Sequence, residues 1–193
     1  MTTYGIARNL VDWPSSLSII LQCFGGPESH SRRQVASLEK AIFLDAAAVC
    51  VQLSWTDPEI DRRIPEICAF TSDAHSAGMP VLFMVGNVDK SSDLPRTIRI
   101  CQEMGADLIK VGFPKDNFAS VDDLKTVLRE SPPVLMAGGS ASLDIIDTAR
   151  RVSELGFAGF CVGRHIFNSR TPVQLAMELN EIFSHSTKQK IQS

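Results

Sequence analysis

Residues 105–116, which read GADLIKVGFPKD, decide how this chain is interpreted. Ile109 and Val111 are typical of a buried parallel strand, yet a lysine, Lys110, stands between them. Side chains alternate along a strand, so Ile109 and Val111 share one face while Lys110 and Gly112 share the other. If the apolar pair packs on covering helices, Lys110 projects into the interior, and Gly112 leaves space beside it. A buried charge is costly there unless the amine is paired, neutral or used in chemistry.

Two interpretations of Lys110 follow from this position. Desolvation lowers the pKa of an amine, by up to about 3–5 units when the group is fully buried, and a neutral amine can attack a carbonyl to form a Schiff base. Alternatively, the aliphatic stem packs at the end of the strand while the ammonium reaches water. The stretch by itself does not decide between them.

Length and charge restrict the fold and the partners. The 193 residues suit one domain covering 1–193, because a chain of this size can bury most of its apolar surface around a single core. The net charge of -3 gives no electrostatic footprint for nucleic acid. We therefore expect a small-molecule partner.

The cysteines indicate the compartment. They are five, an odd number, without CxxC spacing and mostly within apolar runs: Cys23, Cys50, Cys68, Cys101 and Cys161. This usage predicts reduced core thiols in a cytoplasmic protein. No window reaches the roughly 18 apolar residues of a membrane span, and the first residues do not open a signal peptide. We expect a cytoplasmic protein without a membrane partner.

Apolar runs bounded by turn residues predict six strands alternating with helices. The strands cover residues 18–24, 47–54, 80–85, the Lys110 stretch, 133–139 and 158–164. The helices cover residues 31–44, 57–77, 93–104, 120–129, 142–155 and 171–184, followed by a polar tail that we expect to fray. A spacing near 30 residues calls for a parallel α/β sheet with right-handed crossovers, either doubly wound or a barrel. A Rossmann fold is disfavoured because no GxGxxG follows the first strand.

Two glycine turns suggest an anion site. Gly138 and Gly139 follow the fifth predicted strand, and Gly163 and Arg164 follow the sixth, at the start of a short predicted helix. In barrels a phosphate cradle is built from consecutive strand ends and a helix N-terminus. Either glycine turn alone is more often just a tight turn, and Arg164 could be a surface arginine. Two consecutive units favour the phosphate interpretation.

Three segments together resemble a known family. GADLIK at 105–110, PVLMAGG at 133–139 and VGRHIF at 162–167 follow one another as in the class I aldolases of the DhnA/DeoC superfamily. The chain looks like the archaeal-type class I fructose-bisphosphate aldolases and the related LsrF-like thiolase/aldolase branch. The similarity is strong over residues 100–183, moderate over the first three strands, and extends to residues 5–8.

The resemblance implies a TIM (β/α) barrel-like fold, in which the six βα units correspond to the third to eighth strands of the family's barrel. It places Lys110 on the Schiff-base lysine and Asp116 on an acid in the following loop. The positions implied to bind the substrate's phosphate are Gly138, Gly139, Gly163 and Arg164. With the resemblance added, the catalytic interpretation of Lys110 is favoured.

The sequence also departs from the family. The family's two further strands, the first of which supplies an active-site aspartate, precede the segment matched by residues 5–8, so we expect an incomplete barrel. Gln22 stands where the family tends to have a lysine, and Gly86 stands where it has a tyrosine acid/base. An incomplete sheet leaves uncovered edges, so we expect a homo-oligomer.

The sequence therefore predicts a class I aldolase or related carbon–carbon lyase that acts on a phosphorylated ketone or aldehyde through a Lys110 imine. This chemistry requires no cofactor and no metal. The alternative is a non-catalytic protein that binds phosphorylated ligands, or regulates, on a degenerate aldolase scaffold.

Overall fold

The strands form one mostly parallel sheet. The computed structural model describes residues 1–9, 18–26, 33–86, 88–138 and 144–191. Within them the strands are β1 Ile20–Gly25, β2 Arg33–Gln34, β3 Ala48–Leu53, β4 Val81–Val85, β5 Leu108–Val111, β6 Val134–Ala137 and β7 Gly159–Cys161. Their order in the sheet is β2-β1-β3-β4-β5-β6-β7. Because β2 and β7 are the two ends of this order, the pairing among the described residues does not close a barrel.

Helices follow most strands, as the α/β prediction requires. They are α1 Tyr4–Ala7, α2 Leu38–Phe43, α3 Ile60–Ser76, α4 Leu94–Glu103, α5 Leu124–Glu130, α6 Ile145–Leu155, α7 Arg164–Phe167 and α8 Pro172–Ile191, with a 3₁₀ helix at Ser91–Asp93. The predicted α/β fold class is confirmed, and all six predicted strands are present within a few residues of their expected bounds. The last helix was predicted to end at residue 184, whereas α8 extends to Ile191.

One strand was not predicted. Strand β2 pairs antiparallel with β1, through Phe24 opposite Gln34 and Gly25 opposite Arg33. This two-residue strand lies where the sequence predicted the start of a helix, and α2 begins only at Leu38. Arg33 and Gln34 are exposed and carry no apolar pattern, so nothing local signalled a strand.

The chain comprises two compact units, residues 1–86 with 100–109 and residues 87–99 with 110–193. In the first unit, β1, β3 and β4 are parallel neighbours, with Leu21 beside Val49 and Val49 beside Val81. These three side chains are fully buried, and Phe24 packs edge-to-face on Phe70 of α3 at 5.1 Å between ring centroids. The predicted single domain over 1–193 is not tested by this division and stays a prediction.

In the second unit, helix bounds follow from local backbone conformation. Helix α5 begins at Leu124 rather than near Ser120, because Asp123 before it has a left-handed backbone with φ of 58°. Helix α6 begins after Asp144, whose carboxylate accepts hydrogen bonds from the N–H groups of Ile146 and Asp147. It ends at Gly156 with φ of 102°, a conformation that glycine adopts without steric cost. Among the described residues, no helix is long and apolar enough to span a membrane.

Candidate active site

Strand β5 shows the alternation expected around Lys110. Ile109 and Val111 are fully buried, whereas Leu108 and Lys110 are only half-buried on the other face. Among the described residues, the Lys110 ammonium makes no hydrogen bond and no ion pair. The amine is therefore accessible to a small molecule. Lys110 is only half-buried, however, whereas the Schiff-base interpretation expected a fully buried amine.

Strands β6 and β7 extend the face that carries Lys110. They pair in parallel, with Met136 beside Phe160 and Ala137 beside Cys161. Met136 is fully buried and Phe160 packs on Phe183 of α8, at 6.3 Å between ring centroids. Ala137 and Cys161 must therefore point to the opposite face, because side chains alternate along each strand. We call this half-buried surface, formed by Lys110, Ala137 and Cys161, the lysine face.

Cys161 was not recognised from the sequence as a site residue. Burial raises the pKa of its thiol, while the positive charge of Lys110 acts in the opposite direction, which places the two groups within electrostatic reach of each other. The prediction that all five cysteines are core thiols is wrong for Cys161 and Cys68, which are half-buried. A cysteine in an apolar run carries no local signal of which face it occupies.

Asp116 organises the loop after β5. One carboxylate oxygen accepts hydrogen bonds from both the N–H and the hydroxyl of Ser91, each at 2.9 Å. The fully buried Ser91 hydroxyl in turn accepts from the N–H of Ser120 at 3.0 Å. Although desolvation acts to raise it, the hydrogen bonds from Ser91 help to hold the pKa of Asp116 below its usual value. The Asp116 carboxylate therefore stabilises the loop through its hydrogen bonds with Ser91.

The glycine turn after β6 differs in part from the predicted cradle. The N–H of Gly138 donates to the carbonyl oxygen of Cys161 at 2.9 Å, so this donor is already used. A side chain at position 138 would place its Cβ 2.7 Å from a methyl carbon of Val162, so the close approach of the two strand ends requires glycine. Gly139 lies outside the described residues.

The turn after β7 is more open. Gly163 precedes α7, and a Cβ built there would meet no atom within 4 Å. Arg164 is the first residue of α7, is exposed, and forms no ion pair with another described residue. Since β6 and β7 are parallel neighbours, Gly138 and Gly163 follow the same edge of the sheet. A free guanidinium beside an open turn could hold an anion.

Two positions where the family differs from this chain lie in the first unit. Gln22, where a lysine is usual, is half-buried and donates from its amide nitrogen to the side-chain oxygen of Gln52 at 2.9 Å. Gly86 has open space where its Cβ would stand. Within the described residues, no group of three or more His, Cys, Asp and Glu is arranged to hold a metal ion.

Comparison with known proteins identifies the family. The family model described as DeoC/LacD family aldolase matches residues 21–169. A 2-amino-3,7-dideoxy-D-threo-hept-6-ulosonate synthase of Archaeoglobus fulgidus is 31% identical over 165 residues, covering 81% of this chain and 60% of the relative. A 3-hydroxy-5-phosphonooxypentane-2,4-dione thiolase of Klebsiella pneumoniae is 26% identical over 182 residues, covering 89% of this chain and 60% of that protein. The chain thus spans about three fifths of the length of these curated relatives.

The fold has solved counterparts. The crystal structure of an archaeal fructose 1,6-bisphosphate aldolase superposes with a TM-score of 0.79 at 23% identity, over 94% of this chain and 76% of that one. The 3-hexulose-6-phosphate synthase of Salmonella typhimurium superposes with a TM-score of 0.54 over 86% of this chain and 74% of that one. These structures confirm a TIM-barrel type of fold, and the resemblance inferred from the sequence is confirmed by the family match. Since that match covers more than half of its residues, the chain belongs to the DeoC/LacD aldolase family.

Proposed function

We propose that this protein is a class I aldolase, or a related carbon–carbon lyase, that acts on a phosphorylated ketone or aldehyde through an imine on Lys110. The observation that supports this most directly is the position of Lys110. It lies near the end of a buried strand of an aldolase-family fold, on the half-buried face, with an amine that no other described residue engages. A lysine held in this way can reach a carbonyl carbon.

The chemistry follows from imine formation. The amine adds to the substrate carbonyl, and loss of water gives an iminium ion. The iminium withdraws electrons from the neighbouring carbon, so the adjacent carbon–carbon bond can break or form. A solved archaeal aldolase that superposes on this chain with a TM-score of 0.79 carries its catalytic lysine covalently bound to the carbinolamine intermediate of its substrate. That precedent supports the same role for Lys110.

The phosphate is proposed to bind beyond the ends of β6 and β7. Arg164 would supply the positive charge, and Gly163 would let the ligand approach the backbone. Gly138 would keep the two strand ends close together, and Gly139 completes the proposed set. A phosphorylated substrate is supported by the thiolase relative, whose name specifies a phosphonooxy substituent. Anchoring the phosphate would hold the carbonyl near Lys110.

The compartment and the assembly are part of the proposal. The five free thiols suit a reducing compartment, so we place the protein in the cytoplasm. Exposed apolar side chains such as Phe43 and Phe167, at 82% and 85% exposure, support a homo-oligomer.

Borohydride trapping tests the imine. Reduction in the presence of dihydroxyacetone phosphate should leave a covalent adduct on Lys110, located by peptide mass spectrometry, because reduction fixes a transient iminium. The Lys110→Met variant should lose the adduct completely. Lys115→Met is the matched control. Lys115 lies in the loop that follows the same strand, is exposed, and pairs with Asp89.

The outcomes separate the two functions considered. An adduct on Lys110 that is kept by Lys115→Met supports the aldolase. A parent protein that binds the phosphorylated ketone but forms no adduct would refute the imine and support a ligand-binding scaffold instead.

A further inference from the structure

The lysine face contains a second reactive group, the thiol of Cys161. The register of β6 and β7 sets Cys161 beside Ala137, and the packing of Phe160 on Phe183 turns Cys161 away from α8. Ala137 is the smallest side chain that a chiral residue can have, and it belongs to the strand between those of Lys110 and Cys161. Its methyl group leaves room above β6 for a molecule that contacts both.

The thiol of Cys161 differs in its surroundings from those of Cys23 and Cys101. Cys23 and Cys101 are fully buried, and burial alone raises the pKa of each to about 12. At Cys161 the charge of Lys110 opposes the effect of burial. Strands β5, β6 and β7 are described in full, and Lys110 and Cys161 are their only titratable side chains. The face that would hold the imine therefore offers one candidate for proton transfer among these strands.

We propose that Cys161 is a catalytic residue that exchanges protons with the substrate bound to Lys110. This role rests on the proposed aldolase function. It would also offer an acid/base group to a chain in which Gly86 stands where the family has a tyrosine acid/base.

The Cys161 thiol gives one proton and takes one back during the cleavage of the substrate. After the Lys110 amine adds to the carbonyl, the Cys161 thiol donates its proton to the carbinolamine hydroxyl. The C–O bond breaks, water leaves, and the nitrogen lone pair forms the iminium double bond, which leaves a thiolate beside a cation. The thiolate then accepts the proton of the β-hydroxyl as the carbon–carbon bond breaks. The bonding electrons move into an enamine on Lys110, an aldehyde is released, and the thiol is restored without any oxidant.

The rate at which the imine forms tests this role. Dihydroxyacetone phosphate is mixed with the protein, borohydride is added after increasing delays, and the Lys110 adduct is measured at each delay. In Cys161→Ala and Cys161→Ser the adduct should accumulate about 10²- to 10⁴-fold more slowly, the usual contribution of a general acid–base group. The final yield should match that of the parent, which also shows that the variants are folded. Cys68→Ala, which removes the other half-buried thiol, should behave as the parent.

The outcomes distinguish this inference from the proposed function. A Cys161→Ala variant that forms the adduct at the parental rate would overturn the role of Cys161 and leave the imine intact. A parent protein that never forms the adduct would refute the imine, and the role of Cys161 with it.

Alkylation tests the placement of the two groups without any substrate. The Lys110 ammonium favours the reactive thiolate, so Lys110→Met should slow the reaction of Cys161 with iodoacetamide while leaving Cys68 unchanged. Equal rates at Cys161 in the two proteins would show that the thiol lies beyond the influence of the lysine, and would overturn the proposal.

Discussion

For individual residues of the candidate site, the face of the strand on which a side chain lies was predictable where strand alternation determines it. Lys110 was expected opposite Ile109 and Val111, and the burial of β5 has that pattern. Cys161 could not be recognised in the same way. Its proximity to Lys110 depends on how strands separated by some 50 residues are ordered and paired, which no local pattern encodes. For the same reason, the sequence could not reveal that the N–H of Gly138 donates a hydrogen bond to the carbonyl oxygen of Cys161.

Arg164 provides a test of the anion site. If its exposed guanidinium binds the phosphate, Arg164→Gln should weaken binding of dihydroxyacetone phosphate by about tenfold to a hundredfold, since hydrogen bonds to charged groups contribute ~1.5–3 kcal/mol. Binding of dihydroxyacetone, measured by the same calorimetric titration, should change little. Arg170→Gln, which removes a nearby exposed arginine, serves as control. Equal weakening of both ligands by Arg164→Gln would indicate a structural arginine.

Asp116 makes stability depend on pH. Its pKa is lower in the folded protein than in the unfolded chain, where the usual value is about 3.9. Its contribution to the free energy of unfolding is therefore fully present above that value and is lost as the pH falls through the lower folded pKa. Asp116→Asn should reduce the urea midpoint at neutral pH and flatten its decline in acid. If the urea midpoint of Asp116→Asn falls in acid as steeply as that of the parent, Asp116 is not the cause of the loss of stability in acid.

At the scale of helices and strands, centres were predicted better than ends. The start and stop signals in the sequence located α3, α4 and α6 to within a few residues. Helix starts depend on single residues: α5 begins late because Asp123 has a left-handed backbone, and α3 begins at Ile60, three residues after its predicted start at residue 57. Asp57 instead accepts a hydrogen bond from the N–H of Glu59 and pairs with Arg63.

The start of α6 can be tested at Asp144. Its carboxylate accepts from the N–H groups of Ile146 and Asp147, at 3.0 and 3.1 Å. Asp144→Ala should lower the free energy of unfolding by about 1 kcal/mol, because both donors lose their partner. Asp144→Asn keeps an acceptor oxygen and should cost only a fraction of that. Urea unfolding of the two variants measures both changes. Equal losses in the free energy of unfolding would mean that the charge of Asp144, and not its capping hydrogen bonds, stabilises the start of α6.

For the whole molecule, the α/β class and the order of the strands along the chain were predicted from the sequence and are confirmed. The incomplete barrel was expected from the resemblance, and the sheet order among the described residues does not close. The homo-oligomer stays a prediction. The outermost strands of the sheet order are β2 and β7. The unpaired edges of such strands favour pairing with another chain. Apolar side chains are also exposed on α8, where Val173 and Met177 are 72% and 61% accessible.

These features predict self-association. Gel filtration with light scattering should give a mass that is a multiple of 21.1 kDa at micromolar concentration. Dilution should shift the species toward smaller masses if the contact is weak. A particle that remains a monomer at every concentration would contradict the predicted homo-oligomer, and would require that the sheet edges be covered within one chain.

The division into two units has a consequence for synthesis on the ribosome. The first unit is not a continuous stretch: it includes residues 100–109, and residues 87–99 of the second unit precede them. Domains generally fold as units, the N-terminal one first as the chain emerges. Here the first unit cannot be completed until Ile109 has left the exit tunnel, by which time part of the second has already been made. The residue translated next is Lys110, so this lysine emerges just as the first unit becomes able to fold.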